Sequence, residues 1–212
     1  WRGDAAGVVG RGLSFFLTHY RRPDGLFRTL VAPDGSALDE RAVLYDQAFA
    51  LLGLASAAAI PGVSIDVRKE AEQLRLAIGH HYQRRGGGFE TEFPPKPPLQ
   101  SNPHMHLFEA SLAWAQLDNS GAWQSLADSI GELALAHFID PASGALREFF
   151  AADWRPVPGV QGRIVEPGHQ FEWAWLLLRW RGSRDVAVRR TALRLIEIGE
   201  QHGVQRGVAI NA

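Results

Sequence analysis

The sequence predicts an all-α fold, an α/α toroid in which inner and outer helices alternate around a ring. Three observations predict it: a glycine turn recurs about every 60 residues, a nearly uniformly apolar helix follows each turn, and an amphipathic helix precedes the next turn. Helical solenoid repeats are usually shorter, roughly 34–47 residues. Two concentric layers of helices therefore explain the pattern better than a solenoid or a plain bundle.

Each repeat begins with a glycine turn and a short extended run. The turns are Gly25-Leu26-Phe27-Arg28-Thr29, Gly87-Gly88-Phe89-Glu90-Thr91 and Gly144-Ala145-Leu146-Arg147-Glu148, and a fourth is expected at Gly207-Val208-Ala209. Because the same plan recurs in order along the chain, each turn should connect an outer helix to the loop that leads into the next inner helix.

The hydrophobic pattern predicts two kinds of helix. The segments 44–52, 106–112 and 171–177 are apolar on nearly every side, as is typical of helices buried all round. We expect these inner helices to begin near residues 43, 103 and 167 and to line a common cavity. The outer, amphipathic helices are expected at roughly 5–20, 64–82, 121–138 and 184–201.

Composition excludes several classes of function. The 212 residues are 46% hydrophobic, with 22 Lys and Arg against 23 Asp and Glu and no cysteine. Such a balance gives no general attraction to nucleic acid or anionic lipid, and no apolar run approaches the ~18 residues of a membrane span. The lack of cysteine suits a cytoplasmic enzyme. The chain starts at Trp1, and we expect 1–212 to be a single toroid domain that lacks its native N-terminal and C-terminal helices.

Two inner helices start in a similar way and carry histidines. They are Asn102-Pro103-His104-Met105-His106 and Glu166-Pro167-Gly168-His169. Asn is a common N-cap, and Pro is favoured at the first helical position. The positive end of the helix dipole disfavours imidazolium. A histidine there is expected to be neutral at the working pH, as a general base must be.

The spacing of carboxylates suggests how these histidines act. Glu172 follows His169 at i+3, on the same helical face, where a carboxylate can fix the tautomer of the imidazole. The alternative is a purely structural His–Glu pair. A metal site at His104 and His106 is disfavoured because residues at i and i+2 point to different sides of a helix. His106 with Glu109, or with Asn102, is a better same-face set.

These motifs resemble a known family. The run from Asn102 to Ala110 and the run from Glu166 to Trp173 are similar to the two signature helix starts of the N-acylglucosamine 2-epimerase superfamily. That superfamily includes mannose isomerase and cellobiose 2-epimerase. Leu44-Tyr45-Asp46-Gln47-Ala48-Phe49 resembles its preceding inner helix. The resemblance covers nearly the whole chain in order and implies an (α/α)6 barrel.

The resemblance also implies an activity and a set of site residues. Members move a proton at the carbon next to a sugar carbonyl through an enediol intermediate, without a metal or an organic cofactor. By resemblance, His169 and Glu172 take the catalytic positions, and Tyr45, Asn102 and His106 take substrate-binding positions. Members carry a further acid/base histidine beyond position 212 and an arginine before position 1. We therefore expect activity from the full protein and not from this chain alone.

Several functions remain open at this point. The leading expectation is aldose–ketose isomerisation of a free sugar, of the mannose–fructose kind, and the nearest rival is 2-epimerisation of an N-acylglucosamine or a disaccharide. A glycoside hydrolase, a lyase or a non-catalytic sugar-binding module on the same toroid are alternatives of other classes. Hydrolysis normally needs two carboxylic residues at the bond. The expected partner is a small-molecule sugar, and a homodimer is left open as the assembly.

Overall fold

The computed structural model describes residues 3–209, and most of them lie in seven α-helices. The helices are α1 (Ala5–His19), α2 (Leu44–Ala58), α3 (Val67–His81), α4 (Ser101–Ala115), α5 (Ala122–Leu133), α6 (Pro167–Arg181) and α7 (Val186–Gly203). A π-helical turn at Ala134–Phe138 extends α5. No helix among these residues is long and apolar enough to cross a membrane.

Eight short strands form four antiparallel pairs between the helices. They are β1 (Leu30–Val31), β2 (Ala37–Asp39), β3 (Ala42–Val43), β4 (Glu92–Phe93), β5 (Leu99–Gln100), β6 (Phe149–Phe150), β7 (Val204–Gln205) and β8 (Val208–Ala209). The last pair contains the fourth predicted turn, and Gly207 there has a φ of +77°, the same as Gly144. A left-handed backbone of this kind favours glycine.

The predicted alternation of inner and outer helices is confirmed. The helix α4 packs against α2 on one side and α6 on the other, and α5 covers its outer face. In the same way α3 packs on α2, and α7 packs on α6. The inner helices begin at Leu44, Ser101 and Pro167, close to the expected residues 43, 103 and 167. The fold is that of an (α/α)6 barrel, represented here by part of its helices.

The core lies between the two layers and is centred on α4. Trp114 is fully enclosed, and its indole N–H donates a 2.8 Å hydrogen bond to the carbonyl of Leu51 on α2. Phe108 stacks on Trp173 of α6 at 5.7 Å between ring centroids. These aromatic contacts fix α4 between its two neighbours, and therefore fix the relative positions of the three inner helix starts.

The starts of the first two inner helices, α2 and α4, are each held by the loop of the next repeat. The strand β3 pairs with β4, and β5 pairs with β6, so the residues before an inner helix join those after the following turn. The backbone N–H of Leu44 donates to the carbonyl of Thr91 at 2.8 Å, and that of Ser101 donates to the carbonyl of Glu148 at 3.1 Å. First-turn N–H groups, which lack partners within a helix, are satisfied in this way.

The expected N-cap at Asn102 is wrong. The helix α4 begins at Ser101, its cap residue is Gln100, and no side chain caps it. The reason is that β5 holds Gln100 extended against β6, and the neighbouring loop accepts the hydrogen bond of the first helical N–H. In α6 the expectation is confirmed, because Pro167 occupies the first turn with Glu166 as the cap residue.

The fourth residue of each inner helix clamps the extended run of its own repeat. Gln47 accepts from the N–H of Phe27 at 2.8 Å, and Gln170 accepts from that of Leu146 at 2.9 Å. His104 occupies the equivalent place in the second repeat. The sequence repeat is thus a structural repeat down to individual hydrogen bonds.

Candidate active site

His169 is the third residue of α6, and it faces a carboxylate from another element. Its Nδ1 lies 3.1 Å from Oε1 of Glu148. The two atoms do not meet the geometry of a hydrogen bond, so the contact between the ring and the carboxylate is an electrostatic one. The His169 side chain keeps 24% of its surface exposed. Within residues 3–209, Nε2 accepts and donates no hydrogen bond, and it is not among the enclosed polar atoms.

Glu148 is itself fixed on both sides. The residue is 3% exposed, and its Oε2 accepts a 2.8 Å hydrogen bond from the hydroxyl of Ser101, the first residue of α4. Its backbone carbonyl accepts from the N–H of Ser101, and the next residue starts β6. Glu148 therefore bridges the N-terminal turns of α4 and α6.

The hydrogen bond expected between His169 and Glu172 is not found within residues 3–209. Glu172 is exposed, and Glu148 instead lies at Nδ1. The i,i+3 spacing does put the Glu172 charge near the ring, where it acts on the protonation equilibrium of His169. Glu172 remains a candidate site residue through its charge and its place beside His169, not through a hydrogen bond.

The charge environment of His169 differs from the expectation that the helix dipole sets. Burial acts to lower the pKa of His169, but the contact with Glu148 and the charge of that carboxylate oppose it. The charges of Glu172 and Glu166 act in the same direction as that of Glu148, and the net pKa lies above the ordinary 6.5. The carboxylates thus outweigh burial in setting the pKa of His169. The protonated form is favoured more strongly than the sequence alone predicts.

A second group of predicted site residues meets between α2 and α4. The His106 ring packs edge-on to Tyr45 at 5.0 Å and lies 4.5 Å from Phe49, measured between ring centroids. Its Nδ1 lies 3.5 Å from Oε2 of Glu109, as the i,i+3 spacing predicts. Tyr45 is 38% exposed and Phe49 41% exposed. The group is therefore partly accessible to solvent.

Asn102 lies next to Ser101 in the first turn of α4. Its Oδ1 is enclosed and has no hydrogen-bond partner among the described residues. An enclosed amide oxygen without a partner is uncommon and calls for an explanation. No hydrogen bond or ring contact in the described part of the chain joins His169 to Tyr45 or His106. The two groups are linked through α4, which carries Ser101, Asn102 and His106 within its first two turns.

His104 is a structural residue. It is fully enclosed, its Nδ1 donates to the carbonyl of Gln100 at 2.8 Å, and its Nε2 accepts from the N–H of Phe89 at 3.0 Å. Burial lowers the pKa of His104 to about 4. Both ring nitrogens are thus used by the backbone, which rules His104 out as a metal ligand or base. Among residues 3–209, no group of three or more His, Asp or Glu side chains is arranged to hold a metal ion.

A cavity of about 450 Å³ lies between α1 and α2, away from His169. Most of its lining is apolar, and it includes Thr29, Asp46 and Phe49. Burial raises the pKa of Asp46, while the hydroxyl of Thr29, which donates at 2.7 Å, opposes the increase. The lining includes no histidine, so we place the candidate site at His169 rather than in this cavity.

Sequence reasoning missed Glu148, although the repeat contained a signal for it. Thr29, Thr91 and Glu148 stand at the same place in the three turns, two residues after the clamped position. In the first repeat this place contacts the third residue of the inner helix, as the Thr29–Asp46 hydrogen bond shows. The equivalent pair in the third repeat is Glu148 with His169. The alignment of the repeats places Glu148 beside His169 only once the Thr29–Asp46 contact is known, so the sequence alone does not predict the pair.

The fold and these side chains define a class of protein: an α/α toroid that presents histidine and carboxylate groups at the starts of its inner helices. Comparison with known families makes this specific. The model of the N-acylglucosamine 2-epimerase (GlcNAc 2-epimerase) family matches residues 1–211. The chain belongs to this family.

Individual relatives agree with that placement. A mannose-6-phosphate isomerase from Rhizobium meliloti (strain 1021) is 47% identical over 209 residues, which are 96% of this chain and 54% of that protein. A crystal structure of D-mannose isomerase superposes with a TM-score of 0.77 at 20% identity, over 93% of this chain and 54% of that one. Cellobiose 2-epimerase from Spirochaeta thermophila DSM 6192 gives 0.79 at 22% identity, over 91% and 52%. The chain spans about half the length of these relatives.

Proposed function

We propose that the protein containing this chain is a sugar isomerase or epimerase that transfers a proton at the carbon next to a sugar carbonyl. The observation that carries the proposal is the arrangement of His169. Its Nδ1 lies 3.1 Å from a buried carboxylate, while Nε2 has no hydrogen-bond partner among residues 3–209. When a carboxylate holds one nitrogen of an imidazole ring, the other nitrogen is free to accept a proton. Such an arrangement is suited to general base catalysis. Family membership supports the same chemistry.

The proton step uses the open nitrogen. His169 Nε2 takes the proton from C2 of the open-chain aldose, the C–H electron pair becomes the C1–C2 double bond, and the carbonyl oxygen takes the negative charge. For the ketose, the proton of the C2 hydroxyl moves to the C1 oxygen, the charge passes to the C2 oxygen, and protonation at C1 then forms the C2 carbonyl. For the epimer, the charge stays on the C1 oxygen and C2 is protonated from the opposite face, which restores the C1 carbonyl. The raised pKa of His169 makes its neutral form a stronger base, and catalysis then takes place at a pH where that neutral form is populated.

The sugar is proposed to bind at Tyr45, Asn102 and His106. The rings of Tyr45 and His106 pack together at 5.0 Å between their centroids, and each side chain also carries polar atoms. The Oδ1 of Asn102 is enclosed, so the amide NH2 group, which is not, is proposed to donate to a hydroxyl group of the sugar. Aromatic rings together with a few fixed polar groups are typical of small-molecule sites. Glu172 is proposed to act by raising the basicity of His169 through its charge.

Mannose–fructose isomerisation is the reaction we favour. A relative 47% identical over 96% of this chain is named a mannose-6-phosphate isomerase, and two further relatives are named D-mannose isomerase. These names share the mannose skeleton and differ in the phosphate. The proposed substrate is the free sugar, and the phosphorylated sugar is the alternative that the experiment below separates.

Epimerisation at C2 is the second candidate. The same base can serve this reaction, and the family is described as N-acylglucosamine 2-epimerase. Glycoside hydrolysis is less well supported. It needs two carboxyl groups that flank the sugar bond. Here Glu148 is 3% exposed and is held by Ser101 and His169, so it is not available to a glycosidic oxygen.

The test is NMR spectroscopy of the full-length protein with single sugars in D2O. Mannose, mannose 6-phosphate, N-acetylglucosamine and cellobiose are each incubated with enzyme, and both the products and deuterium at C2 are recorded. Fructose formed from mannose supports the proposal, and fructose 6-phosphate or a C2 epimer selects one of the alternatives. Absence of exchange and of product from all four sugars would contradict the proton-transfer function.

A further inference from the structure

The position of Glu148 is set by contacts that do not involve a sugar. The Ser101 hydroxyl donates to Oε2 at 2.8 Å, the Ser101 N–H donates to the Glu148 carbonyl at 3.1 Å, and β6 begins at the next residue. The side chain is 3–4% exposed. The remaining oxygen, Oε1, is therefore held in a fixed position, 3.1 Å from Nδ1 of His169.

The fold does not need a carboxylate at this position. The two equivalent places in the earlier repeats are Thr29 and Thr91, and each serves the same turn and the same type of inner helix. A buried carboxylate is costly to remove from water unless it has a charged or hydrogen-bonding partner. Only one of the three equivalent turns carries a carboxylate, and that carboxylate lies beside a histidine. This distribution points to a role in the chemistry of the histidine.

We infer that Glu148 is a positioning residue for His169, which holds the ring proton on Nδ1 and leaves Nε2 free to accept the proton of the sugar. The inference rests on the proposed proton-transfer function and goes beyond it, because it assigns the orientation of the base to a residue from a different repeat. Ser101 completes the arrangement, since its hydroxyl fixes the second carboxylate oxygen. The N-terminal turn of α4 thereby sets the geometry of the base on α6.

The decisive variant is Glu148→Gln in the full-length protein. If the Gln carbonyl keeps the Ser101 hydrogen bond, its NH2 group faces Nδ1 of His169. This arrangement favours the tautomer with the proton on Nε2, which cannot accept the proton of the sugar. We expect kcat to fall by roughly 10²–10⁴-fold, the range for loss of a positioned base. We also expect the acidic limb of the kcat–pH profile to move to lower pH, because the charge of Glu148 acts to raise the pKa of His169.

Two further variants keep the test decisive. Glu148→Thr introduces the residue that the equivalent turns carry, so it should fold even if the glutamine variant does not, and it should show the same loss of kcat and the same pH shift. Glu90→Gln is the matched control. Glu90 lies in the equivalent loop of the second repeat, and its partly buried carboxylate pairs with Arg84 and, among residues 3–209, with no histidine. This control should leave both kcat and the acidic limb unchanged.

The outcomes separate the inference from the proposed function. One set of results would overturn the inference while leaving the proposed function in place. In that case His169→Asn is inactive, but both Glu148 variants either keep kcat or lose it without a shift of the acidic limb. Glu148 would then be only structural. If His169→Asn remains active, the proposed function itself fails. A pH shift and a loss of kcat in the Glu148 variants, with melting temperatures close to that of Glu90→Gln, would support the inference.

Discussion

The Nε2 atom of His104 accepts a 3.0 Å hydrogen bond from the backbone N–H of Phe89, where the neighbouring repeats use a glutamine. Gln47 and Gln170 make the same contact to their own turns, at 2.8 and 2.9 Å. The second bond is also equivalent: the His104 Nδ1 and the Gln47 Nε2 each donate to the carbonyl four residues earlier, at 2.8 and 3.2 Å. An imidazole and a carboxamide are thus interchangeable in this clamp.

At pH 8, His104→Gln should therefore leave the free energy of unfolding within about 1 kcal/mol of wild type, since both hydrogen bonds can be remade. His104→Ala should cost about 2–4 kcal/mol, because it leaves the Phe89 N–H buried without a partner and opens a cavity. Urea unfolding followed by circular dichroism measures both. Equal losses in the two variants would show that the clamp does not act through these bonds.

The pKa of His104 also predicts how stability depends on pH. The folded protein keeps His104 neutral down to about pH 4, against an ordinary value of 6.5, so the unfolded chain binds more protons between these values. Stability from this residue is present above pH 6.5 and is lost as the pH falls toward 4, by up to about 3 kcal/mol.

His104→Gln should gain stability relative to wild type over that range. Unfolding midpoints at pH 4.5 and 8 test this, and a constant difference between the two proteins would contradict it. His169, whose pKa is raised, contributes with the opposite sign in both proteins and cancels.

Tyr45→Phe should weaken sugar binding without affecting the fold. Tyr45 is 38% exposed and its hydroxyl makes no hydrogen bond within residues 3–209, so its removal should leave the melting temperature unchanged. Loss of one hydrogen bond to the sugar, about 1 kcal/mol, should lower kcat/KM roughly fivefold. Tyr82→Phe is the matched control. Its buried hydroxyl donates to Ala42 at 3.0 Å, so it should reduce stability and leave KM unchanged. Wild-type kcat/KM in Tyr45→Phe would remove Tyr45 from the site.

The sequence was sufficient to predict the layers of the fold and one contact among the candidate site residues. Spacing within one helix predicts His106 beside Glu109, because i and i+3 necessarily share a face. Proline at the start of α6 was likewise predictable. The pairing of His169 with Glu148 was not, since it depends on how the loop before β6 crosses the N-terminus of α4. The same loop replaces the cap expected at Asn102. Contacts between repeats are set by tertiary packing, which local spacing does not encode.

Activity is predicted to be independent of metal ions. His104 uses both ring nitrogens for the backbone, at 2.8 and 3.0 Å, so it cannot form a ligand pair with His106. The chain also has no cysteine to supply a thiolate ligand. The full-length enzyme should keep its kcat after treatment with EDTA and after removal of the chelator into metal-free buffer. Loss of activity that a divalent ion restores would contradict this prediction.

The most direct test of the account is turnover and C2 deuterium exchange in full-length His169→Asn, with Glu172→Gln alongside. His169→Asn should reduce kcat and the rate of exchange together by about 10²–10⁴-fold, because the base is removed while α6 keeps its contacts. Glu172→Gln should cost less, since it removes only a charge that raises the pKa of His169. Melting curves for both variants establish that they are folded. Near-normal exchange in a folded His169→Asn protein, or loss of activity only through unfolding, would show that His169 is not the base.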